Sequence, residues 1–567
     1  MNSESLTEIF RATARQNPEA EAVAFSGRKL NYAQLDILSD QVASALGAGQ
    51  IKRGDRVGLY CINSDYFVLA YLGIIKCGAV VVPVNLLLNP KEIAFILNDA
   101  EISALIYHEV FAANVSVIKP QVKSLKASIC IRGSGEKAGS AQPRPPAKIF
   151  DKSEAISKHR RDGSEAGSSG LEGEAVPSRR AFSPEFNSAA PEDLSWDEIM
   201  AVGKKPPRVE IDAAEDLAAI LYTSGTTGRP KGAMLTHRNL AINAGSVKKA
   251  LKLEPGSEKL LVVLPMFHAF AATAGMLAPL LYGGTIVPLP RFEPMTVAET
   301  IEKERVTIFL GVPSMYVALL RLPEKFTEKF SPLKFCASGG AAMPVAVMEQ
   351  FEKRFGKLIY EGDGPTECSP VTCVNPIGGK RKYGTVGLPI PGVEMKIRDE
   401  QGKELPHGAI GEICVKGKNV MKGYWRLPEE TKESFFGEWF RTGDLGTEDD
   451  EGYFSILDRR KDIIIVNGMN IYPRMIEEAI SRLAGIRECA VVGEPHELHG
   501  EIPVAYVSLV EGTNVTAPQI RAHCLANLGR HEVPRKFIFM PELPKNASGK
   551  IVKRQLRRSG EVERGII

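Results

Sequence analysis

Long apolar runs are missing from this chain of 567 residues. No stretch approaches the roughly 18 consecutive apolar residues that mark a membrane-spanning helix, so we expect no transmembrane segment. The opening MNSESLTEIFRATARQNPEA has no basic stretch followed by an apolar core, and the closing GEVERGII matches no lipidation or retention pattern. We therefore expect neither a secretory signal nor a lipid anchor, while peripheral contact with a membrane stays open.

An excess of one charge is also missing, since 71 basic and 68 acidic residues leave a formal net charge of +3. Such a balance provides no electrostatic reason to expect a nucleic-acid partner. The nine cysteines are scattered singly, and the closest pair, Cys368 and Cys373, has no His or Cys cluster beside it. We interpret them as reduced thiols of a cytoplasmic protein, rather than as zinc ligands or disulfides.

The residues that are present indicate a globular α/β protein. The composition is 44% hydrophobic and 25% charged, and the length favours two or more domains. Over 33–110, and again over 209–440, short apolar runs such as RVGLYCI and AVVVPV alternate with longer helical runs such as YAQLDILSDQVASALGA. This alternation predicts a mostly parallel sheet with helices packed on it. We expect a large N-terminal multi-sheet α/β domain and a small mobile α+β C-terminal domain.

Changes in composition mark the predicted boundaries. Residues 133–195 are rich in Gly, Ser, Pro and charge, and we interpret them as a flexible surface insertion. After about residue 445, GYFSILDRRKDIIIVNGMNIYP predicts two strands with a tight turn, followed by helices at 474–484 and 516–528. We place the boundary near Leu457–Asp458, which divides the chain into 1–457 and 458–567. The oligomeric state cannot be predicted from the sequence.

A loop rich in hydroxyl groups and glycine lies within YTSGTTGRPKG, residues 222–232. It is not a Walker-type phosphate loop, because the Gly–Lys spacing differs and because strands, LAAILYT and KGAMLTH, flank it on both sides. A helix follows, with Thr236 as its expected N-cap. Glycines allow backbone N–H groups to approach a phosphate closely, and Lys231 adds a positive charge. The phosphate-binding residues that we predict are Thr223, Ser224, Gly225, Thr226, Thr227, Gly228 and Lys231.

The same stretch resembles the signature of the adenylate-forming superfamily, which includes acyl-CoA synthetases, firefly luciferase and peptide-synthetase adenylation domains. The resemblance extends over the chain outside 133–195. The segments GAVVVPVN, LPMFHAF and SGGAAMP are most similar to bacterial fatty-acyl-CoA synthetases. It implies an N-terminal domain that binds ATP and a small-molecule carboxylic acid, a C-terminal domain that swings over it, and the use of Mg²⁺ and CoA.

The resemblance also implies the nucleotide contacts. EGDGPTECSP would supply Thr366 near the α-phosphate and Glu367 as a ligand of Mg²⁺ together with Thr223. Where the family commonly has an aromatic residue that stacks on adenine, this chain has Asp363, so we expect backbone and neighbours to close that slot. Asp444 and Arg459 would contact the ribose or phosphates. The remaining predicted ATP contacts are Gly339, Gly340, Ala341, Glu361, Gly362 and Gly364.

Catalytic and gating residues follow from the same resemblance. Lys550, in PKNASGKIVKRQLR, would bridge the attacking carboxylate and the α-phosphate as charge develops. His268 would orient groups beside the reacting carboxylate. Lys461 falls at the family's hinge position, and Gly468 and Met469 lie in the loop expected to line the CoA path. The residues implied for the acyl pocket are Phe267, Phe270, Gly311, Val312 and Ser338.

The acid itself stays open between several classes. Relatives that activate amino acids place an Asp after the Phe of this pocket, whereas Phe267 is followed here by His268, so an apolar acyl tail fits better. Our first hypothesis is a ligase for medium- or long-chain fatty acids. A second is an aryl- or alicyclic-acid CoA ligase, or an acyl-AMP synthetase that loads a carrier protein. A third is a nucleotide-binding protein that has lost catalysis, suggested by Asp363.

Overall fold

The computed structural model of the protein describes residues 5–132, 193–202, 206, 208–224, 229–545 and 550–562. For Ser224 and residues 558–562 it describes the backbone alone. The predicted phosphate-loop residues Gly225, Thr226, Thr227 and Gly228, and the greater part of the predicted insertion 133–195, therefore lie outside the described residues.

The strands in chain order are β1 (Glu21–Phe25), β2 (Arg28–Asn31), β3 (Arg56–Tyr60), β4 (Val80–Pro83), β5 (Ile102–His108), β6 (Ala127–Ile131), β7 (Asp193–Ser195), β8 (Leu217–Ser224), β9 (Pro230–Thr236), β10 (Lys259–Val262), β11 (Thr285–Pro288), β12 (Ile308–Gly311), β13 (Phe335–Ser338), β14 (Ile359–Asp363), β15 (Cys373–Val374), β16 (Leu388–Pro389), β17 (Val393–Arg398), β18 (Gly411–Gly417), β19 (Gly423–Tyr424), β20 (Phe435–Phe436), β21 (Trp439–Glu448), β22 (Phe454–Arg459), β23 (Ile464–Val466), β24 (Met469–Ile471), β25 (Ile486–His496), β26 (Gly500–Leu509) and β27 (Lys536–Phe539).

The α-helices in chain order are α1 (Leu6–Gln16), α2 (Tyr32–Ala48), α3 (Asp65–Lys76), α4 (Pro90–Asp99), α5 (Ala112–Ile118), α6 (Trp196–Met200), α7 (His237–Ala250), α8 (Ala278–Leu281), α9 (Pro294–Glu304), α10 (Pro313–Leu319), α11 (Val345–Phe355), α12 (Pro428–Glu433), α13 (Pro473–Ser481), α14 (Ala517–Asn527) and α15 (Lys553–Val562). A π-helix covers Ala271–Leu277, and short 3₁₀ helices cover Glu109–Phe111, Lys119–Gln121, Glu324–Phe330, Thr366–Cys368 and Arg460–Asp462.

Two large sheets carry the predicted α/β pattern. The eight-stranded sheet has the order β19-β9-β8-β4-β3-β5-β6-β7, and it is parallel from β8 to β7. The nine-stranded sheet has the order β16-β15-β14-β13-β12-β10-β11-β1-β2, and its parallel part runs from β14 to β1. Their central strands are continuous apolar runs because helices cover both faces. The predicted fold class is confirmed.

Local signals set the helices where the sequence predicts them. Asn31 caps α2 by accepting a hydrogen bond from the backbone N–H of Gln34, whose side chain in turn accepts from the Asn31 N–H. Thr236 caps α7 through the same reciprocal arrangement with Asn239. The predicted N-cap at Thr236 is confirmed, and it places the start of α7 directly after the phosphate hairpin.

The last three residues of the predicted insertion form a strand. Asp193–Ser195 form β7, which pairs in parallel with β6. The Asp193 carboxylate also accepts hydrogen bonds from Ser128 and Lys119. Pairing with a buried strand orders these residues, although the composition around them is typical of a loop.

The stretch 452–473 forms three strands, where the sequence predicted two. β22 pairs with β21 in a five-stranded antiparallel sheet with β17, β18 and β20. β23 and β24 form the expected tight hairpin, but in a different sheet with β25, β26 and β27. The short helix Arg460–Asp462 separates the two sheets. A pattern of local alternation cannot reveal that adjacent strands belong to different sheets.

Buried apolar side chains of the described residues separate at the same place. Two clusters lie within 6–456 and two smaller ones within 464–556. Separate cores are what a chain with two folding units requires. The boundary near Leu457–Asp458 nevertheless stays a prediction.

Candidate active site

The phosphate hairpin consists of β8 and β9, which are antiparallel as predicted. Thr223 pairs with Lys231 and Ser224 with Pro230, so the two strands bring a hydroxyl and an ammonium group to one end of the sheet. Thr223 and Lys231 are both half-buried. The position of Lys231 at the base of the loop suits a positive charge that meets phosphates.

A carboxylate of the 361–370 segment lies beside the hairpin. The Thr223 hydroxyl donates to Glu367 Oε1 at 3.4 Å, and the Tyr424 hydroxyl donates to the same oxygen at 2.9 Å. Glu367 and Thr366 lie in the short helix Thr366–Cys368. Hydroxyl and carboxylate oxygens are the hard ligands that Mg²⁺ prefers, so Thr223 and Glu367 fit the metal that the sequence implies.

Glycine is required at two positions of this segment. A Cβ on Gly364 would lie 1.7 Å from the Pro370 carbonyl oxygen, and one on Gly362 would lie 2.7 Å from the Cys373 carbonyl oxygen. Both glycines therefore serve the packing of the loop, which leaves Asp363 between them at the end of β14, half-buried.

Glu361 is directed into the protein rather than towards solvent. Its side chain is 2% exposed, and Oε1 accepts a hydrogen bond from the Met343 N–H at 2.9 Å. Burial raises the pKa of Glu361 to about 7, although Arg474 acts in the opposite direction. Glu361 thus contacts the loop that follows Gly339–Ala341, and the direct nucleotide contact expected from the sequence stays a prediction.

The segment Gly339–Ala341 lies beside the predicted acyl pocket. Gly339 follows β13, and a Cβ there would lie 3.4 Å from the Phe270 ring; one on Gly340 would lie 3.8 Å from Val312. Ser338 is buried and pairs across the sheet with Gly311. Gly340 has a φ of +76° and is exposed, and the following Ala341 is half-buried. The structure thus brings Phe270, Val312 and the glycine pair to one wall.

Asp444 and Arg459 face each other across β21 and β22. Arg459 Nε lies 2.7 Å from Asp444 Oδ1, and the Asp444 side chain is 8% exposed. Burial raises the pKa of Asp444 to about 6, against the opposing effect of Arg459. The carboxylate is therefore ionised at neutral pH and can accept hydrogen bonds from hydroxyl groups, as the predicted ribose contact requires.

Lys550 stands in the same charged cluster. The surrounding protein lowers the pKa of its ammonium, Arg459 lowers it further, and Asp444 and Asp363 act in the opposite direction. Its side chain nevertheless keeps solvent-accessible surface. A partly desolvated cation with one open side is suited to stabilising negative charge on an incoming carboxylate.

His268 is a neighbour of Lys550. Burial lowers the pKa of His268 to about 4, and the Lys550 charge lowers it further. Its Nδ1 accepts a long hydrogen bond, 3.4 Å, from the Phe270 N–H. Phe267 and His268 lie half-buried in the turn before the π-helix Ala271–Leu277. The imidazole is therefore neutral at physiological pH and can orient a substrate group without adding charge.

The predicted hinge and CoA loop lie on the surface. Lys461 is exposed in the short helix Arg460–Asp462. Asn467 and Gly468 form the β23–β24 turn with φ values of +50° and +80°, and Gly468 and Met469 are exposed. Their predicted roles require a different domain arrangement and stay predictions.

Sequence reasoning missed Arg474, at the start of α13. Its N–H donates to Asp458 Oδ2 at 2.8 Å, its guanidinium donates to the Ile456 carbonyl, and Nη2 lies 3.9 Å from Glu361 Oε1. It therefore connects the segment after the predicted hinge to the segment before it and to β14. No local pattern indicates such contacts, because all three partners are distant in sequence or lie in another sheet.

The AMP-binding enzyme family matches residues 10–425, and the AMP-binding enzyme C-terminal domain matches residues 475–550. The chain belongs to the AMP-binding enzyme family. Its enzyme class, an AMP-forming acyl-CoA synthetase that uses ATP, Mg²⁺ and CoA, is confirmed. Within the described part of the chain, no helix is long and apolar enough to cross a membrane.

Similar proteins span the whole chain. A long-chain-fatty-acid–CoA ligase of Bacillus subtilis (strain 168) is 35% identical, covering 98% of this chain and 94% of its own. A feruloyl-CoA synthase of an Amycolatopsis species is 32% identical, covering 96% and 97%.

Solved structures agree with this family. ATP-bound MatB from Rhodopseudomonas palustris is 30% identical with a TM-score of 0.81, covering 98% of this chain and 99% of its own. The anthranilate CoA ligase AuaEII, in complex with anthranoyl-AMP, is 25% identical with a TM-score of 0.83, covering 99% and 98%.

Lys550→Ala should abolish adenylate formation while sparing thioester formation from preformed acyl-AMP. Loss of a main charge partner in the transition state costs about 3 kcal/mol or more. Pyrophosphate release measures the first half-reaction, and acyl-CoA formation from synthetic acyl-AMP measures the second. Lys536→Ala is the control, because Lys536 pairs with Glu494 elsewhere on the C-terminal unit. Equal losses in both half-reactions would contradict the assignment.

Arg474→Ala should slow adenylate formation about tenfold, roughly 1.4 kcal/mol, and leave thioester formation from acyl-AMP unchanged or faster. The reason is that Arg474 contacts Glu361 and β22 in the arrangement in which Lys550 lies in the charged cluster. We expect these contacts to break when the C-terminal unit turns. The same half-reaction assays provide the measurement.

Arg482→Ala is the matched control for Arg474, since Arg482 directly follows α13 and forms an exposed ion pair with Glu478. An equal effect of Arg474→Ala on both half-reactions would show that the residue serves general folding instead.

The His268 imidazole should stay neutral from pH 8 down to about pH 5. Its folded-state pKa of about 4 lies below the ordinary 6.5, so the stability that the neutral ring provides is fully present above 6.5 and is lost as the pH falls towards 4. NMR titration of the histidines, with His268→Gln to assign the signal, measures this. Lys550→Ala should raise the His268 pKa, because it removes a neighbouring positive charge. A midpoint near 6.5 in the unmodified protein would contradict the burial argument.

Proposed function

We propose that this chain is an ATP-dependent acid–CoA ligase whose acid is a medium- or long-chain fatty acid. One observation carries the choice of acid: the segment after Phe267 offers small, apolar side chains and no acidic group. Ala269, Ala271 and Ala272 are all buried there. An apolar wall favours an acyl tail, since an amino acid would leave its ammonium group without a partner.

Gly275 lies against the sheet. A Cβ at this position would meet Val262 and Leu310, which belong to the sheet beneath the π-helix. The room for a chain therefore depends on the alanines and on the wall formed by Phe270, Val312 and Gly339.

The proposed reaction has two halves. A carboxylate oxygen of the acid bonds to the α-phosphorus of ATP, and pyrophosphate leaves. The CoA sulfur then bonds to the acyl carbon, its proton leaves to solvent, and AMP departs. In the first half, Lys550 stabilises the developing charge, Asp444 and Arg459 hold the nucleotide, and neutral His268 orients the carboxylate.

Thr223 and Glu367 would hold Mg²⁺, which neutralises phosphate charge when bound. The C-terminal unit then turns about Lys461, withdraws Lys550 and brings Gly468 and Met469 to the thiol path. Such a change of position between half-reactions separates two chemistries that need different residues at one place. A cytoplasmic location stays a prediction.

A second acid class has one observation in its favour. Thr273, in the same π-helix, is 1% exposed, and its hydroxyl has no hydrogen-bond partner among the described residues. A buried hydroxyl without a partner is costly, and a hydroxylated aromatic acid could satisfy it. The feruloyl-CoA synthase relative makes this the main alternative.

Pyrophosphate release and CoA-dependent AMP formation, measured over saturated fatty acids, benzoate and ferulate, test the proposal. We expect kcat/KM to rise about fourfold per methylene, roughly 0.8 kcal/mol, until the pocket is filled. Lys550→Ala measured on the same panel controls for contaminating ligases.

If kcat/KM is highest for ferulate and this preference is lost in Thr273→Val, the acid is a hydroxylated aromatic acid and not a fatty acid. Pyrophosphate release with no CoA-dependent AMP formation would instead favour transfer of the acyl group to a carrier protein.

A further inference from the structure

Tyr424 is fixed beside the phosphate hairpin on several sides. It lies in β19, antiparallel to β9 and opposite Ala233. Its N–H donates to Thr431 Oγ1 at 2.8 Å, and the following Trp425 N–H donates to the Gly232 carbonyl at 2.7 Å. The side chain is consequently buried, with 9% of the residue exposed. The direction of its ring is thus set by the hairpin itself.

The Tyr424 hydroxyl acts on the carboxylate expected to hold Mg²⁺. It donates to Glu367 Oε1 at 2.9 Å, and Thr223 donates to the same oxygen at 3.4 Å. Over the described ranges, neither backbone nor side-chain groups donate to Glu367 Oε2. Two donors on one oxygen hold the carboxylate in one orientation and leave the other oxygen available for a cation.

The Tyr424 ring acts on the cation expected to meet the phosphates. Lys231 Nζ lies 5.3 Å from the ring centroid, within the range of a cation–π interaction. One side chain therefore touches two groups of opposite charge that act on the same triphosphate.

We propose that Tyr424 is a positioning residue that sets both Glu367 and Lys231 for Mg²⁺ and nucleotide phosphate. This rests on the proposed function, in which Glu367 binds the metal and Lys231 the phosphates. A tyrosine that merely fills the core would need some buried acceptor for its hydroxyl. The two accounts differ in whether metal dependence changes when the hydroxyl is removed.

The experiment is calorimetric titration of ATP into the full chain at a series of Mg²⁺ concentrations. Tyr424→Phe removes the hydroxyl and keeps the ring, so we expect five- to twentyfold more Mg²⁺ for half-maximal binding, with metal-free ATP affinity unchanged within about twofold. Tyr424→Leu also removes the ring, so metal-free ATP affinity should fall as well. An unchanged Mg²⁺ requirement in Tyr424→Phe would overturn the proposal.

Tyr453→Phe is the matched control. Tyr453 is also buried, and its hydroxyl donates a hydrogen bond to the Lys380 carbonyl at 2.6 Å. Its ring centroid lies 4.4 Å from Lys382 Nζ, but the side chain touches neither Glu367 nor Lys231. We expect a similar change in melting temperature and no change in Mg²⁺ requirement. If Tyr453→Phe shifts that requirement equally, the effect of Tyr424 is merely structural.

Two further variants test whether Tyr424 acts through Glu367. In Glu367→Gln, adding Tyr424→Phe should change the Mg²⁺ requirement no further, because the hydroxyl acts through Glu367; additive changes would refute this. If Tyr424→Phe does not fold, Thr431→Val, which removes the acceptor of the Tyr424 N–H, should raise the requirement in the same direction, and no change would count against the proposal. Failure of the proposed function itself would look different, since the unmodified chain would then bind no Mg·ATP.

Discussion

The ion pair between Asp444 and Arg459 is the contact on which the site depends. It joins two paired strands just before the predicted hinge, with Nε and Oδ1 2.7 Å apart. Asp444 has lost most of its water, so it needs the Arg459 charge to stay ionised near neutral pH. Lys550 arrives from the far end of the chain and meets both charges. The pair therefore contributes to the electrostatic potential at Lys550, the proposed catalytic lysine.

The elements whose signals are local could be predicted from the sequence. The bounds of α2 and the two strands of the phosphate hairpin follow from periodicity, capping and flanking strands, and the structure agrees with them. The sequence could not show that β22 and β23 belong to different sheets. The sheet of β23 depends on a partner more than 30 residues away, because β23 pairs with Gly500. β7 was missed because pairing with β6 outweighs a loop-like composition.

The candidate site divides in the same way. Lys550, Glu367, Asp444 and Arg459 belong to recognisable motifs, and the structure brings them near one another. Tyr424 and Arg474 carry no motif that sequence reasoning could use, since their importance arises from contacts with groups far along the chain. Glu361 lies inside a motif and is buried against Met343, a contact that the motif does not indicate, and its nucleotide contact stays a prediction. A motif thus predicts which residues lie near the site, whereas the structure shows which groups each side chain contacts.

The contacts that hold the C-terminal unit are of a kind that can be broken and remade. Arg474 Nη2 lies 3.9 Å from Glu361 Oε1, which is beyond hydrogen-bond distance, and the Arg474 side chain is only partly buried. The apolar clusters of the described residues do not merge across the hinge. A fused apolar interface would hold Lys550 in place and block the thiol. Under the proposed mechanism, polar contacts between separate cores would allow Lys550 to be positioned for one half-reaction and withdrawn for the next.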